Sequence, residues 1–363
     1  MPKNLIYYLE KIPDFRNARG RRHQLPVVLL ITILAIMSGE LGYQAMSRFL
    51  ERHRRNLSRL LGLPISRVPS ASVIRRVLIG LNYKEVEKQL NKWLKENAKV
   101  PQGEWVSGDG KALKNTVCNY DEAQQEFFNF VSFFSHQKGI VMGVKVMNNK
   151  EISEIHALEN LLDILDIKGV TFSLDALHCQ KKTLDKIVDK GNNYLVKVKN
   201  NQKNLFKAIE NQCRTQEPLK VYQEKDRTRG REVHRRVEVF SLPVEIDPKW
   251  QSANCVIKVT RQGRREGYDF ERTGYYLTSH YPNCRHLALG IRGHWTIENR
   301  LHWVKDVIQN EDRSPQKKGL APINISLLKT WVLTLYRLEG YDSLTDGIDR
   351  NKHNIPYLLS LCR

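Results

Sequence analysis

The sequence predicts a mixed α/β fold, a mixed sheet flanked by helices, on the strength of three observations. Apolar residues recur at helical spacing through the first hundred positions, strands take over after Glu104, and strands then alternate with helices from about 140 to 199. At 363 residues the chain can bury a substantial core without disulfides and is long enough for two or three structural units.

Helical segments are expected over 25–37, 43–61, 71–79 and 83–98, separated by punctuation such as Gly62-Leu63-Pro64. The apolar run from Leu25 to Met37 is too short to span a bilayer and reads as a buried helix, with no membrane partner implied. Ser70 and Ser72 offer N-caps to VIRRVLIGL, where Val73, Val77 and Leu78 can pack while Arg75 and Arg76 point outward. A helix-turn-helix and an ordinary helical bundle fit that stretch equally well.

EWVSGDGK, QEFFNFVSFFSHQKG and IVMGVKVMNN read as three strands, the last two joined in a hairpin around Lys138-Gly139. A helix from Ser153 to Leu165 leads to the strand VTFSLDA, a helix from Gln180 to Lys190 and the strand NYLVKVK. Residues 218–282 return to strands, with VHRRVEVFSLPV, ANCVIKVT and RTGYYLTSH, and the chain ends in helices with Leu327, Leu328, Trp331, Leu335 and Leu338 at helical spacing. The expected organisation is a basic helical domain (1–100), a core in two parts (101–215 and 284–330) around a β-rich insertion (216–283), and a helical tail (331–363).

Lys and Arg number 59 against 39 acidic residues, a net charge of +20, and residues 1–100 hold 19 of those bases against 7 acids. That segregation makes a nucleic-acid phosphate backbone the leading partner, and a solvated basic surface the plain alternative. Six cysteines lie far apart with no C-x-x-C pair, so a reducing, cytoplasmic setting is expected and zinc is not. No G-x-x-x-x-G-K-[ST] run implies ATP.

Candidate chemistry centres on carboxylates. Asp109 ends a short strand before Gly110 and Lys111, and Asp175 ends the apolar strand VTFSLD, where an acid is costly unless bonded, paired or metal-bound. Turn and cap roles are the plain alternatives for both. In RGHWTIENRLHWVKD, ordinary helical spacing puts His294, Glu298, His302 and Lys305 in a stripe of roughly 80°. Ile297, Leu301, Val304 and Ile308 form an adjoining apolar stripe. Asp109, Asp175 and Glu298 would suit hard divalent cations, Mg²⁺ or Mn²⁺, and two such ions suit phosphodiester chemistry. A zinc site on His294, Glu298 and His302 is disfavoured because the histidines stand eight apart. Trp295 and Trp303 are expected to pack, with base stacking as the alternative. Lys111, Lys197, Lys199, Asn200, Asn201 and Gln202 are candidate phosphate contacts or simply solvated strand ends.

Taken in order, IPDFRNARGRRHQL, GDGK, LDALHCQK, VKNNQ, GHWTIENRLHWVKD and the following Glu311-Asp312 make the chain resemble bacterial insertion-sequence transposases of the DDE class, in the branch of the H-repeat-associated proteins. The resemblance implies a ribonuclease-H-like core, and Asp109, Asp175 and Glu298 as the metal-binding catalytic triad. It also implies His294 and Lys305 beside DNA phosphates and a homodimer or higher assembly on double-stranded DNA. The implied activity is metal-dependent cleavage at element ends followed by strand transfer, with a nuclease or an inactive DNA-binding regulator as alternatives.

Overall fold

The computed structural model describes residues 4–62, 68–117, 125–228, 231–265 and 268–363; Leu63 and Pro64, named above, and one of the six cysteines, Cys118, lie outside them. In chain order the helices of the first hundred residues are α1 (Leu5–Glu10), α2 (Leu25–Met37), α3 (Tyr43–Leu61), α4 (Ala71–Gly80) and α5 (Tyr83–Asn97). Then come β1 (Trp105–Ala112), β2 (Phe128–Ser135), β3 (Val141–Asn148), α6 (Glu154–Leu165), β4 (Thr171–Leu174), α7 (Lys181–Asp189), β5 (Asn193–Val198) and α8 (Lys203–Thr215). Four longer strands follow, β6 (Lys220–Thr228), β7 (Arg231–Phe240), β8 (Cys255–Arg265) and β9 (Tyr268–Thr278), before α9 (Cys284–Gly293), α10 (Ala321–Leu338), α11 (Leu344–Asn351) and α12 (Ile355–Ser360). The fold is mixed α/β, as the sequence predicts, and α1, α8, β6 and α9 are additions to the predicted elements.

The chain divides into two compact units. One comprises Met1–Val100, Gly110–Leu165 and Ile297–Arg363; the other comprises Pro101–Asp109 and Asp166–Thr296. The first is mainly helical. Its core joins α1 to α5 with α10, α12 and the hairpin β2–β3, so the N-terminal helices share one apolar interior with the C-terminal ones. α2 lies inside that interior, which accounts for an apolar stretch, Ala18–Met37, with the length and hydropathy of a membrane span. Ser70 caps α4 by accepting from the Val73 amide, and Arg75 and Arg76 are exposed. The β2–β3 hairpin turns at Gly139, whose φ of +64° favours glycine. Along β3, α5 supplies hydrogen bonds of strand type: the Asn91 side chain donates to the Val144 carbonyl at 2.7 Å and accepts from its amide at 2.9 Å. Glu87 adds an acceptor for the Val146 amide at 2.7 Å.

The second unit is built on strands. β1, β4 and β5 run parallel, β9 is antiparallel to β5, and β8, β7 and β6 continue as antiparallel neighbours. Residues 216–283, expected as an insertion, therefore extend the same ladder that begins with β1 and β4. α9 covers this sheet over a core of Trp105, Leu195, Val237, Val239, Ile257 and Leu287. Gly290 lets it approach closely, because a Cβ there would meet the Trp105 ring at 2.2 Å.

Candidate functional site

β1 and β4 carry the same short pattern, Ser-x-Asp, and their register makes the two copies coincide. Ser107 pairs with Ser173 and Gly108 with Leu174, so Asp109 and Asp175 are the next residues where the parallel β1–β4 ladder ends; β4 stops there, whereas β1 runs on to Ala112, so Asp109 lies within its strand and does not end it as expected. Neighbouring strands stand about 4.8 Å apart, so these backbones are held side by side by the ladder itself. Both aspartates are half-buried. Asp175 also caps the 3-10 turn Ala176–His178, its Oδ1 accepting from the Leu177 amide at 3.0 Å. The capping role weighed from the sequence is thus real, and it uses one oxygen.

Period-2 geometry turns the two serines toward the same face as the two aspartates. Their hydroxyls lie 3.2 Å apart and both reach His294: Ser107 Oγ donates to its carbonyl at 3.2 Å, and Ser173 Oγ meets Nδ1 at 3.1 Å. The repeated Ser-x-Asp is the sequence signal that identifies these serines, which were not among the candidates. Burial pushes the His294 imidazole below its ordinary range, while Asp175 pulls the other way and Lys197 and His178 add to the fall. The fall favours the neutral ring, and Ser173 engages Nδ1. His294, expected beside DNA phosphates, is thus an imidazole fastened where the β1–β4 ladder ends.

Asn201 and Gln202 are also occupied. The Asn201 amide donates to the Ala176 carbonyl at 2.6 Å and the Gln202 amide to the Cys179 carbonyl at 2.8 Å, bracing the turn that follows Asp175. Asn201 and Gln202, expected at DNA phosphates, thus also support this turn. Lys199 is exposed, and Lys197 is half-buried with its ammonium lowered by desolvation and then by Lys199.

Glu298 belongs to the other unit, and there the helical register changes. Glu298–His302 and Val304–Ile308 are π-helical turns, wider than the α-helix assumed in the sequence reading. Ile297, Leu301 and Val304 are buried as expected, and Glu298 is exposed with its carboxyl raised by desolvation. Lys305, by contrast, does not share the Glu298 face. It is 3 % exposed, and its ammonium donates to Ser326 Oγ at 2.8 Å and Thr330 Oγ1 at 3.1 Å, with Glu311 at 3.5 Å. Lys111 lies in the same buried network, 2.7 Å from Asp306 and 3.1 Å from Glu311. Both lysines are corrected from DNA contacts to internal charges, because the π turns rotate Lys305 inward and bring Asp306 to Lys111. Trp295 and Trp303, expected to pack, are 51 % and 53 % exposed.

Two strand-end aspartates offer hard oxygen donors of the kind a divalent cation takes. Among the described residues no group of three or more His, Cys, Asp or Glu side chains is placed to hold a metal. The second unit thus brings Asp109 and Asp175 together, and Glu298 is joined to them by resemblance alone.

The class so defined is a mixed α/β protein with paired acids where its central parallel strands end. Residues 95–321 match the family described as Transposase DDE domain, and residues 6–94 match its companion, DDE_Tnp_1-associated. The chain is 30 % identical to "Putative transposase YncI" of Escherichia coli O157:H7 over 97 % of its own length and 92 % of the relative's. It is also 30 % identical to "H repeat-associated putative transposase YhhI" of Escherichia coli strain K12, covering 88 % of this chain and 86 % of that one. The chain belongs to the DDE transposase family.

Proposed function

We propose that this chain cuts DNA at the ends of a mobile element and joins the freed 3′-hydroxyl strand to target DNA, with Asp109, Asp175 and Glu298 as the acidic set. The observation that carries the reading is the register-matched pair Asp109 and Asp175 at adjacent parallel strand ends. Glu298 enters on the resemblance. These three carboxylates would hold Mg²⁺ or Mn²⁺, and such cations when bound stabilise charge on the attacking and leaving oxygens of an in-line displacement. The chain's own groups position that set. Ser107 and Ser173 fix His294 beside the two aspartates, and Asn201 and Gln202 hold the turn after Asp175. No covalent enzyme intermediate is needed, since water and then the 3′-hydroxyl are the nucleophiles. Two DNA ends handled together call for a homodimer or larger assembly.

The test is cleavage of a plasmid carrying the sequences that flank the gene, with Mg²⁺ present. Wild-type protein should nick at the element ends and leave 3′-hydroxyls, and Glu298→Gln should bind the same DNA yet leave it uncut. Undiminished cutting by Glu298→Gln removes Glu298 from the set, and undiminished cutting by Asp109→Asn and Asp175→Asn as well removes the reading.

A further inference from the structure

We infer that helix α3 grips the DNA backbone through an arginine stripe, an inference that rests on the proposal that DNA is the substrate. Arg48, Arg52, Arg55 and Arg59 are all exposed, and at 100° per residue they fall within about 60° of one another along roughly 16 Å of helix. The opposite side is apolar and buried, with Met46, Phe49, Leu50 and Leu57 in the core, so packing fixes which way the stripe faces.

Neighbouring members stand three or four residues apart, where like charges destabilise a helix. The sole acid of α3, Glu51, stands at the edge of the stripe and pairs with Arg54 at 3.7 Å, and no carboxylate forms an ion pair with any of the four among the described residues. A solvated face ordinarily mixes both signs. Four aligned, unneutralised guanidinium groups complement a duplex that carries one phosphate charge per about 1.7 Å of axis.

Because each contact would be to phosphate, the grip is indifferent to base sequence and its signature is counterion release. The measurement is binding of full-length protein to a 30-bp duplex of arbitrary sequence by fluorescence anisotropy, across a salt series. Replacing all four arginines with Gln, as R48Q/R52Q/R55Q/R59Q, should make the log–log salt slope shallower by about 3.6, and R52Q/R55Q alone by about 1.8. Glutamine keeps the helix propensity, and far-UV circular dichroism checks the fold; the double variant serves if the fourfold one does not fold. Wild-type binding with a slope that neither variant changes overturns the stripe while leaving DNA as the substrate. Failure of wild-type protein to bind any duplex overturns both.

Discussion

Two groups of charged side chains differ in how completely the protein answers them. Around Lys305 opposite charges are packed against one another: Glu311 faces Lys305 and Lys111, Asp306 faces Lys111, and hydroxyls of Ser326 and Thr330 accept from the Lys305 ammonium. At the strand ends, Asp109 and Asp175 are brought together by register, half-buried, and Asp175 is met by a backbone amide without a cation in ion-pair contact among the described residues. A closed network of this kind holds a shape. Acids held side by side, with Asp175 using one oxygen as a cap and no ion pair, are equipped for something that comes from outside.

The contrast breaks most visibly at Glu311. Burial raises its carboxyl, but Lys305, Lys111 and Lys329 overcome that and hold it down at about 2. Glu311→Gln strands buried ammonium groups and should cost about 3–5 kcal/mol in urea unfolding. A loss below about 1 kcal/mol would mean that the network is not closed by this residue.

Lys329 gives the next effect. Burial holds its ammonium down at about 8, against the pull of Glu311, whereas an unfolded lysine titrates near ~10.4. Between those values the unfolded chain binds more protons, so this group makes the protein more stable as pH rises from about 8. The climb is at most ~1.4 kcal/mol per pH unit and should vanish in Lys329→Met, as urea midpoints at pH 7.5 and 9.5 would report. A slope unchanged by the substitution would place the titration elsewhere.

The smallest stability effect belongs at the strand ends. Asparagine caps a turn about as well as aspartate, so Asp175→Asn should shift unfolding by less than about 0.5 kcal/mol while abolishing cleavage. If it unfolds the protein instead, Asp175 is part of the scaffold and the distinction between the two groups fails.

Much of this was legible in advance. The helices over residues 25–97 and the strands carrying Asp109 and Asp175 follow from period 3.6 and period 2 in the apolar residues, because burial on one face writes that pattern directly. Lys305 was misread for a physical reason. Its position relative to Glu298 depends on which carbonyl each amide reaches, and a π turn alters that without leaving a mark in composition. Lys111 failed differently: a lysine after a strand-end acid looks the same whether it faces phosphate or a buried glutamate from far along the chain. Residues 216–283 looked like an insertion since sequence order does not reveal that β9 pairs with β5.

The Asn91 amide on β3 has a consequence for how copies of this chain can associate. By occupying both the N–H and the C=O of Val144, and with Glu87 on Val146, it fills the positions where a foreign strand would dock. That border is occupied by two side chains, Asn91 acting as a counterfeit peptide unit and Glu87 beside it, so any assembly on DNA has to be cemented by side-chain surfaces rather than by a shared ladder at these positions of β3.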